Sequence, residues 1–333
     1  MKGAQRIRNL RGRVRGALLR DPLAAGRKEQ NELLALAQSH PPTVIYAHTG
    51  FVGLRLLPLA QALNVPIVVH FHGLDVTETN PVYQREIARN LQKFDHVIVV
   101  GNWMTKWFTD KGYARKDISV IPMGAPVKDR DTTTQRANDS VCRFVAVGRL
   151  VGVKGLDRTL KAFSILKQEN KDVALSIIGS GPLEHPLRQQ ASQLGLTPDD
   201  IFRGSMPSDE VMDYLATQCD VLVQHAVDKP GGPEAFGVTI TEAMAQGLPV
   251  VSTLCGGIPD QILDGETGFL VAQDDVAAMA DKMALLARDP ALRQRLGSQG
   301  RARALHHFDS ADLARKCENL LVEFSGPNAG SAL

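Results

Sequence analysis

The stretch that decides the fold reads Gly232-Pro233-Glu234-Ala235-Phe236-Gly237-Val238-Thr239-Ile240-Thr241-Glu242-Ala243-Met244-Ala245-Gln246-Gly247-Leu248-Pro249-Val250-Val251-Ser252. A Gly-containing loop opens into a helical run, which closes on an apolar strand. The first turn of a helix presents unpaired N–H groups and the positive end of the helix dipole, so it attracts anions, most often phosphate. Glu234 stands just before this helix, and Glu242 stands about two turns along it. Carboxylates on either side of a bound phosphate accept hydrogen bonds from hydroxyls, so the stretch indicates a nucleotide sugar.

An ordinary amphipathic helix followed by a buried strand is the simpler interpretation of the same residues. It accounts for the apolar positions but leaves the two glutamates unexplained. Two glutamates separated by seven residues, with Ala243-Met244-Ala245-Gln246-Gly247-Leu248-Pro249-Val250-Val251 after the second, resemble the signature of the retaining family 4 glycosyltransferases. The resemblance implies the GT-B fold, in which two Rossmann-like domains face each other across a cleft, with ligands at the carboxyl ends of the strands.

Short apolar runs alternate with helical patterns along the chain, which predicts an α/β protein with parallel sheets and crossover helices. In the N-terminal part we expect strands at Val44–His48, Ile67–Phe71, His96–Val100 and Ser119–Ile121. A second series follows at Arg143–Val147, Val173–Ile178, Asp220–Gln224, Pro249–Ser252 and Phe269–Val271. Together with the resemblance, these runs predict a basic segment at 1–28, an acceptor-side Rossmann-like domain at 29–126, a polar linker at 127–140, a nucleotide-sugar-binding domain at 141–308, and a helix with a tail at 309–333.

A second candidate segment, Gly148-Arg149-Leu150-Val151-Gly152-Val153-Lys154-Gly155, follows the first strand of the second series. Its glycines let the backbone approach a ligand, while Arg149 and Lys154 add positive charge. Two surface cations in a loop are the alternative interpretation. The segment resembles the G-R-x-x-x-x-K-G element of the family, which implies that Arg149 and Lys154 clamp the donor diphosphate and neutralise the leaving group.

In the N-terminal part, His70-Phe71-His72-Gly73-Leu74-Asp75 resembles the H-G-x-D element of the capsule and exopolysaccharide branch of family 4, the colanic-acid type. His48-Thr49-Gly50 resembles that branch as well. The resemblance implies that His72 lies close to the donor sugar and the reacting centre, and that Asp75 shapes the acceptor side. The alternative interpretation is that His48, His70 and Asp75 are loop or core residues whose hydrogen bonds are satisfied within the protein and which have no functional role. No spacing typical of metal ligands is present, so no metal or other cofactor is expected.

The resemblance extends to further positions, each with its own expected role. Glu234 is expected to bind hydroxyls of the transferred sugar, and Glu242 the ribose hydroxyls. The backbone N–H groups of residues 236–238 are expected to face sugar and phosphate. The Gly179–Pro182 turn and the Arg203-Gly204 region are weaker signals that resemble the segments that border the base. The catalytic candidates are His72, Arg149, Lys154 and Glu234. The donor-binding candidates are Gly148, Arg149, Lys154, Gly179, Arg203, Glu234, Phe236, Gly237, Val238 and Glu242.

The composition is that of an ordinary globular protein, with 44% hydrophobic and 22% charged residues in a chain of 333. No apolar run reaches the roughly 18 residues of a spanning helix, and no signal peptide is recognised. The four cysteines are widely spaced and form no C-x-x-C pair, which argues against a zinc site or a disulfide framework. We therefore expect a cytoplasmic protein.

Residues 1–28 carry nine Lys or Arg against one acidic residue. Apolar residues within this segment fall three to four positions apart, so they line one face of a predicted helix. A basic helix with an apolar stripe is a candidate for peripheral binding to an anionic surface such as the inner membrane, and a solvated terminal helix is the alternative. Nucleic acid is not an expected partner, because no aromatic residues interleave with these charges.

Three features depart from the family pattern. The resemblance covers about residues 40–325, and the part before it is short and has no Gly-Gly loop, so we expect an N-terminal domain that lacks its first strands. In addition, the loop Ile121-Pro122-Met123-Gly124-Ala125 lacks the usual Asn, and His225 stands where a Pro-Ser pair is usual.

Three functions remain open from the sequence. The first is a retaining transferase that moves a hexose from a nucleoside-diphosphate sugar, of UDP or GDP type, to a glycan or lipid-linked glycan acceptor in polysaccharide biosynthesis. The second is a truncated relative that binds nucleotide sugar as a partner subunit with little or no transfer. The third is another nucleotide-sugar enzyme with two Rossmann-like domains, such as a 2-epimerase. The joint presence of Arg149, Lys154, Glu234 and Glu242 favours the first over the third.

Overall fold

The computed structural model describes residues 27–73, 75, 80–113, 115, 117–127, 141–229 and 232–326, with side chains from residue 31 onward. The chain divides into two units, Met1–Ile121 with Ala314–Leu333, and Pro122–Leu313. Residues 1–26 of the predicted basic segment and residues 128–140 of the predicted linker lie outside the described residues. Each unit is built on its own parallel sheet with helices between the strands, which confirms the predicted α/β class.

In its described residues, the first unit holds a parallel sheet of four strands in the order β1-β2-β3-β4. The strands are β1 (Ile45–Ala47), β2 (Ile67–Phe71), β3 (His96–Val99) and β4 (Ile118–Val120). The helices between and before them are α1 (Arg27–Ser39), α2 (Gly50–Leu63), α3 (Pro81–Asn90) and α4 (Asn102–Asp110). The four strands predicted here are confirmed to within one residue at each end. The expected absence of earlier strands also concerns residues that are not described, so it stays a prediction.

Local signals in the first unit explain where its elements begin and end. Helix α2 begins after Thr49, whose side chain accepts a hydrogen bond from the N–H of Val52, and it ends at Asn64 in the left-handed conformation. Strand β2 is buried along its whole length, as expected for a strand covered on both faces of a parallel sheet. Its carboxyl end therefore delivers the next residues, beginning with His72, to one edge of the sheet.

The second unit contains a six-stranded parallel sheet. Its strands are β5 (Cys142–Val147), β6 (Val173–Ile178), β7 (Phe202–Gly204), β8 (Val221–Val223), β9 (Val250–Thr253) and β10 (Gly268–Val271). Its helices are α5 (Leu156–Glu169), α6 (Glu184–Gln193), α7 (Pro198–Ile201), α8 (Ser208–Gln218), α9 (Val238–Ala245), α10 (Ile258–Gln261), α11 (Val276–Arg288) and α12 (Pro290–His307). The last helix, α13 (Ser310–Ser325), starts in this unit, and its residues from Ala314 onward belong to the first. The five strands predicted here are confirmed to within one residue at each end, whereas β7 was not predicted.

The strand order of the second sheet, β10-β9-β8-β5-β6-β7, fixes where a ligand can bind. The chain adds β6 and β7 on one side of β5 and then crosses to the other side for β8, β9 and β10. The order therefore reverses between β5 and β8. In open parallel sheets a crevice forms at such a switch point, beyond the carboxyl ends of the strands. The loops that leave β5 and β8 are the predicted Gly148–Gly155 segment and the stretch leading to Glu234.

No helix among the described residues combines the length and apolar character that crossing a membrane requires.

Candidate active site

The switch point of the second sheet brings the two predicted segments together. Lys154 Nζ lies 2.6 Å from Glu234 Oε2, and only 15% and 13% of the two side chains are exposed. Gln224 Nε2 donates to the same Glu234 oxygen at 3.3 Å. Gln224 directly follows β8, so the cluster lies at the carboxyl end of that strand. The structure thus joins two predicted site residues in one ion pair and adds a third residue that the sequence interpretation had not assigned.

Close backbone contacts hold the loops around this pair. Gly155 has φ +58°, and a Cβ there would lie 1.7 Å from the carbonyl oxygen of His225, which requires glycine. Gly179 has φ +136°, and a Cβ there would lie 2.0 Å from the carbonyl oxygen of Gly148. The loop after β5 is therefore held against the loops after β8 and β6. Gly148 itself lies beside the Lys154 side chain, because an added Cβ would be 3.3 Å from Lys154 Cε.

The N-terminus of α9 differs from the expectation at one position. The N–H of Gly237 donates to Gln261 Oε1 at 3.0 Å, and the Gly237 carbonyl accepts from Gln261 Nε2 at 2.9 Å. This N–H is consumed inside the protein, so the prediction that it faces phosphate or sugar is wrong. The N–H groups of Phe236 and Val238 have no hydrogen-bond acceptor among the described residues, so they fit the predicted role. A buried carboxamide has therefore taken one of the three donors expected at this anion site.

Glu242 lies on α9 and is partly buried. Burial raises the pKa of its carboxyl group above the usual range, because the charged form loses water. The buried side of helix α9 holds Ile240, Ala243 and Met244 in the core, together with the buried Thr241. The packing of the helix thus fixes the backbone position from which the Glu242 side chain extends.

Two residues predicted to bind the donor sugar nucleotide, Arg149 and Arg203, are exposed on the second unit. Arg149 is exposed, and its guanidinium makes no ion pair with another described residue. Arg203 is exposed on β7, and its Nε lies 3.4 Å from Ser176 Oγ in β6. The two segments predicted to border the base are in contact, since the N–H of Gly179 donates to the carbonyl of Gly204 at 2.8 Å.

The first unit carries a separate polar cluster on one face of its sheet. Tyr46, His48, His70 and His72 belong to it because residues two apart in a strand share a face. The Tyr46 hydroxyl and His70 Nδ1 are 2.8 Å apart, and the His70 and His72 ring centroids are 4.5 Å apart. Burial, followed by the neighbouring His72 and His48, lowers the pKa of His70 to about 3. Burial and His48 also lower the pKa of His72, so both rings are neutral near pH 7.

Asp75 fixes the backbone around this cluster through hydrogen bonds to its carboxylate. Its side chain is 3% exposed, and its carboxylate accepts hydrogen bonds from the N–H of Gly50 at 2.8 Å, the N–H of His72 at 2.7 Å and the hydroxyl of Tyr83 at 2.9 Å. Burial raises its pKa to about 6, although these hydrogen bonds oppose the shift. These contacts favour the alternative interpretation of Asp75, a satisfied internal residue, and its bond to the N–H of His72 holds the backbone of that residue. No group of metal-ligating side chains forms within the described ranges.

Sequence reasoning missed Gln224, Gln261 and Tyr46. For Gln224 a signal existed, because a polar residue directly after an apolar strand stands where ligands bind in this type of sheet. Gln261 reaches Gly237 from α10, 24 residues further along the chain, and no spacing rule indicates that contact.

Comparison with known proteins identifies two families along the chain. Residues 128–303 match the family Glycosyl transferases group 1, and residues 3–128 match Glycosyltransferase Family 4. WcaL of Escherichia coli (strain K12), described as a colanic acid biosynthesis glycosyltransferase, is 27% identical over 283 residues, which are 84% of this chain and 70% of WcaL. A GDP-mannose-dependent alpha-(1-6)-phosphatidylinositol monomannoside mannosyltransferase of Mycolicibacterium smegmatis is 34% identical over 166 residues, 49% of this chain and 43% of that protein.

The fold also matches solved structures. Anabaena Alr3699/HepE, crystallised in complex with UDP, superimposes with a TM-score of 0.75 at 21% identity and covers 89% of this chain and 82% of its own. At that identity the match establishes the shared GT-B architecture of two parallel-sheet domains. The family match over more than half of the chain shows that the chain belongs to the group 1 glycosyltransferases.

Proposed function

We propose that this protein is a retaining hexosyltransferase that moves a sugar from a nucleoside-diphosphate donor to a glycan or lipid-linked glycan in polysaccharide biosynthesis. The observation that carries the proposal is the Lys154–Glu234 ion pair at the switch point of the second sheet. It puts a cation suited to a diphosphate within 2.6 Å of a carboxylate suited to sugar hydroxyls. The colanic-acid relative supports a role in polysaccharide assembly.

The transfer reaction mainly requires that the protein place charged and hydrogen-bonding groups beside the donor. Departure of a nucleoside diphosphate develops negative charge on the β-phosphate and positive charge on the sugar ring. Lys154, the exposed Arg149 and the N–H groups of Phe236 and Val238 are the groups that would stabilise the phosphate charge. In a retaining transfer on one face of the sugar, the leaving phosphate itself helps to deprotonate the acceptor, so no protein nucleophile is required.

The donor hydroxyls would be read by carboxylates. Glu234 is proposed to accept from hydroxyls of the transferred sugar and Glu242 from the ribose. Burial raises the pKa of the Glu242 carboxyl because its charged form loses water, so ribose hydroxyls that donate hydrogen bonds to it would stabilise the charged form. The relatives point to both donor types: the HepE structure contains UDP, and the mycobacterial relative depends on GDP-mannose.

His72 is the candidate in the first unit for the reacting centre. It is partly exposed and neutral, and its backbone N–H is held by Asp75. A neutral imidazole can donate to one hydroxyl and accept from another, which suits a sugar better than a charged ring does. We also propose a cytoplasmic location in which the basic segment 1–28 rests on an anionic membrane surface.

Transfer from labelled donors tests the proposal. The full chain is incubated with UDP- and GDP-hexoses and with extracted lipid-linked glycans, and the product linkage is read by NMR. We expect one donor type to give product with the anomeric configuration of the donor. Lys154→Met should remove transfer, whereas Lys161→Met, which replaces an exposed lysine on α5, should keep it.

Three other outcomes would contradict the proposal. An inverted product would exclude the retaining mechanism. Binding of nucleotide sugar without transfer to any acceptor would favour the partner-subunit function. Isomerisation of the donor sugar in the absence of acceptor would indicate an epimerase.

A further inference from the structure

Gln224 is a buried carboxamide at the end of a buried strand. Its side chain is 3% exposed, and it follows Val221, Leu222 and Val223, which are fully buried. Two hydrogen bonds tie its backbone to β9: its N–H donates to the carbonyl of Val251 at 3.0 Å, and its carbonyl accepts from Ser252 Oγ at 2.8 Å. The side chain therefore starts from a rigid point between β8 and β9.

The carboxamide of Gln224 is only half satisfied. Nε2 donates to Glu234 Oε2 at 3.3 Å, whereas Oε1 is buried and has no hydrogen-bond partner in the described chain. Burying a polar group without a partner opposes folding, so an apolar side chain of similar volume would suit this position better. Folding alone does not explain a glutamine here.

Gln261 shows what a structural glutamine looks like in the same unit. It is also fully buried, but both ends of its carboxamide are bonded to the backbone of Gly237, one as acceptor and one as donor. Gln261 thus ties α10 to the start of α9. Gln224 instead directs its one bond at the carboxylate that the proposed function assigns to the donor sugar.

Lys154 and Gln224 share one oxygen of Glu234, and this sharing defines the role of Gln224. In the proposed function, on which this inference rests, Lys154 binds the donor diphosphate while Glu234 binds a sugar hydroxyl. As the Lys154 ammonium turns toward phosphate, its hold on Glu234 weakens. Gln224 is the other side chain that donates to Glu234 among the described residues, and it is anchored in the sheet. We propose that Gln224 is a positioning residue that keeps the Glu234 carboxylate on the transferred sugar.

The proposal predicts an effect limited to the sugar half of the donor. In Gln224→Met, a replacement of similar length that cannot donate, the thermal midpoint should stay equal to that of the wild type or rise. Affinity for the nucleoside diphosphate alone should change by less than about twofold. Affinity for the matching nucleotide sugar should fall at least fivefold, and kcat should fall tenfold or more. Gln261→Met is the matched control, and it should lower the thermal midpoint.

Calorimetric titration of wild type and Gln224→Met with UDP, UDP-glucose, GDP and GDP-mannose, beside thermal melting, decides the matter. If Gln224→Met unfolds or melts as low as Gln261→Met, the carboxamide serves folding and the inference is overturned. Equal losses for nucleotide and nucleotide sugar, or no loss for either, overturn it as well while the proposed function stands. If the wild type binds none of the four compounds, the proposed function fails and takes the inference with it.

Discussion

Breaking the Lys154–Glu234 pair should separate its part in catalysis from its part in folding. The two charged atoms are 2.6 Å apart, and both side chains are largely buried. Removing one partner of a fully buried pair costs about 3–5 kcal/mol, because the other charge is left uncompensated. Here each side chain keeps some contact with water, and Glu234 keeps the bond from Gln224. We therefore expect Lys154→Met to lower the free energy of unfolding by about 2 kcal/mol.

The double variant Lys154→Met/Glu234→Gln should regain part of that loss, since no charge is then left unpaired. A coupling free energy of about 1–2 kcal/mol is expected from the cycle. Transfer should behave differently. Lys154→Met should lower kcat by about 10²–10³, equal to roughly 3–4 kcal/mol of transition-state stabilisation, and the double variant should recover none of it.

The assay must report on the second unit. Both tryptophans, Trp103 and Trp107, lie on α4 of the first unit, so their fluorescence follows the wrong part of the chain. Urea unfolding followed by far-ultraviolet circular dichroism covers both units, and donor turnover is measured on the same preparations. Retained turnover in Lys154→Met, or activity that returns together with stability in the double variant, would contradict a catalytic role for Lys154.

Three further predictions follow from the packing and charges. Gly155→Ala should destabilise the second unit by about 3 kcal/mol or more in urea unfolding, because the new Cβ would collide with the His225 carbonyl and alanine disfavours the left-handed backbone conformation of this position. A variant as stable as the wild type would show that the two loops are not packed as described. The pKa of His70 is about 3 in the folded chain and 6.5 in the unfolded chain, so the unfolded chain binds the proton first and the free energy of unfolding falls as the pH drops below 6.5. About 2 kcal/mol should be lost between pH 7 and pH 5, and the His70→Gln variant should not show this pH-dependent loss. Transfer should continue in excess EDTA, because fixed cations are proposed to do the work of a metal; loss of turnover that Mg²⁺ or Mn²⁺ restores would contradict this.

The sheets were predictable because their signal is local. Buried strands of a parallel sheet are mostly apolar runs, and β2, β5 and β6 are recognisable because each contains only one polar or charged residue. Strand β7 was missed because it has only three residues, one of them an exposed arginine and another a glycine with positive φ. A short edge strand of this kind is defined by its pairing with β6 and carries no pattern of its own.

The sequence predicted which residues belong to the site better than it predicted which of them contact each other. The loops after β5 and β8 were expected to hold ligand residues, but Lys154 and Glu234 are 80 positions apart, and their bond depends on β8 pairing beside β5. The direction of a side chain was harder still. The motif that contains Asp75 does not reveal that Gly50 and Tyr83 converge on its carboxylate from other elements.

The second unit is proposed to bind a nucleoside-diphosphate sugar through the residues gathered at its switch point. Thermal melting of the full chain with UDP, GDP, ADP and TDP, beside the Glu242→Ala variant, tests it most directly. A ligand that binds the native state raises the midpoint by mass action. We predict that one nucleotide raises the wild-type midpoint and that Glu242→Ala loses this shift. A wild type that responds to none of the four nucleotides, or a variant that responds as fully as the wild type, would contradict the claim.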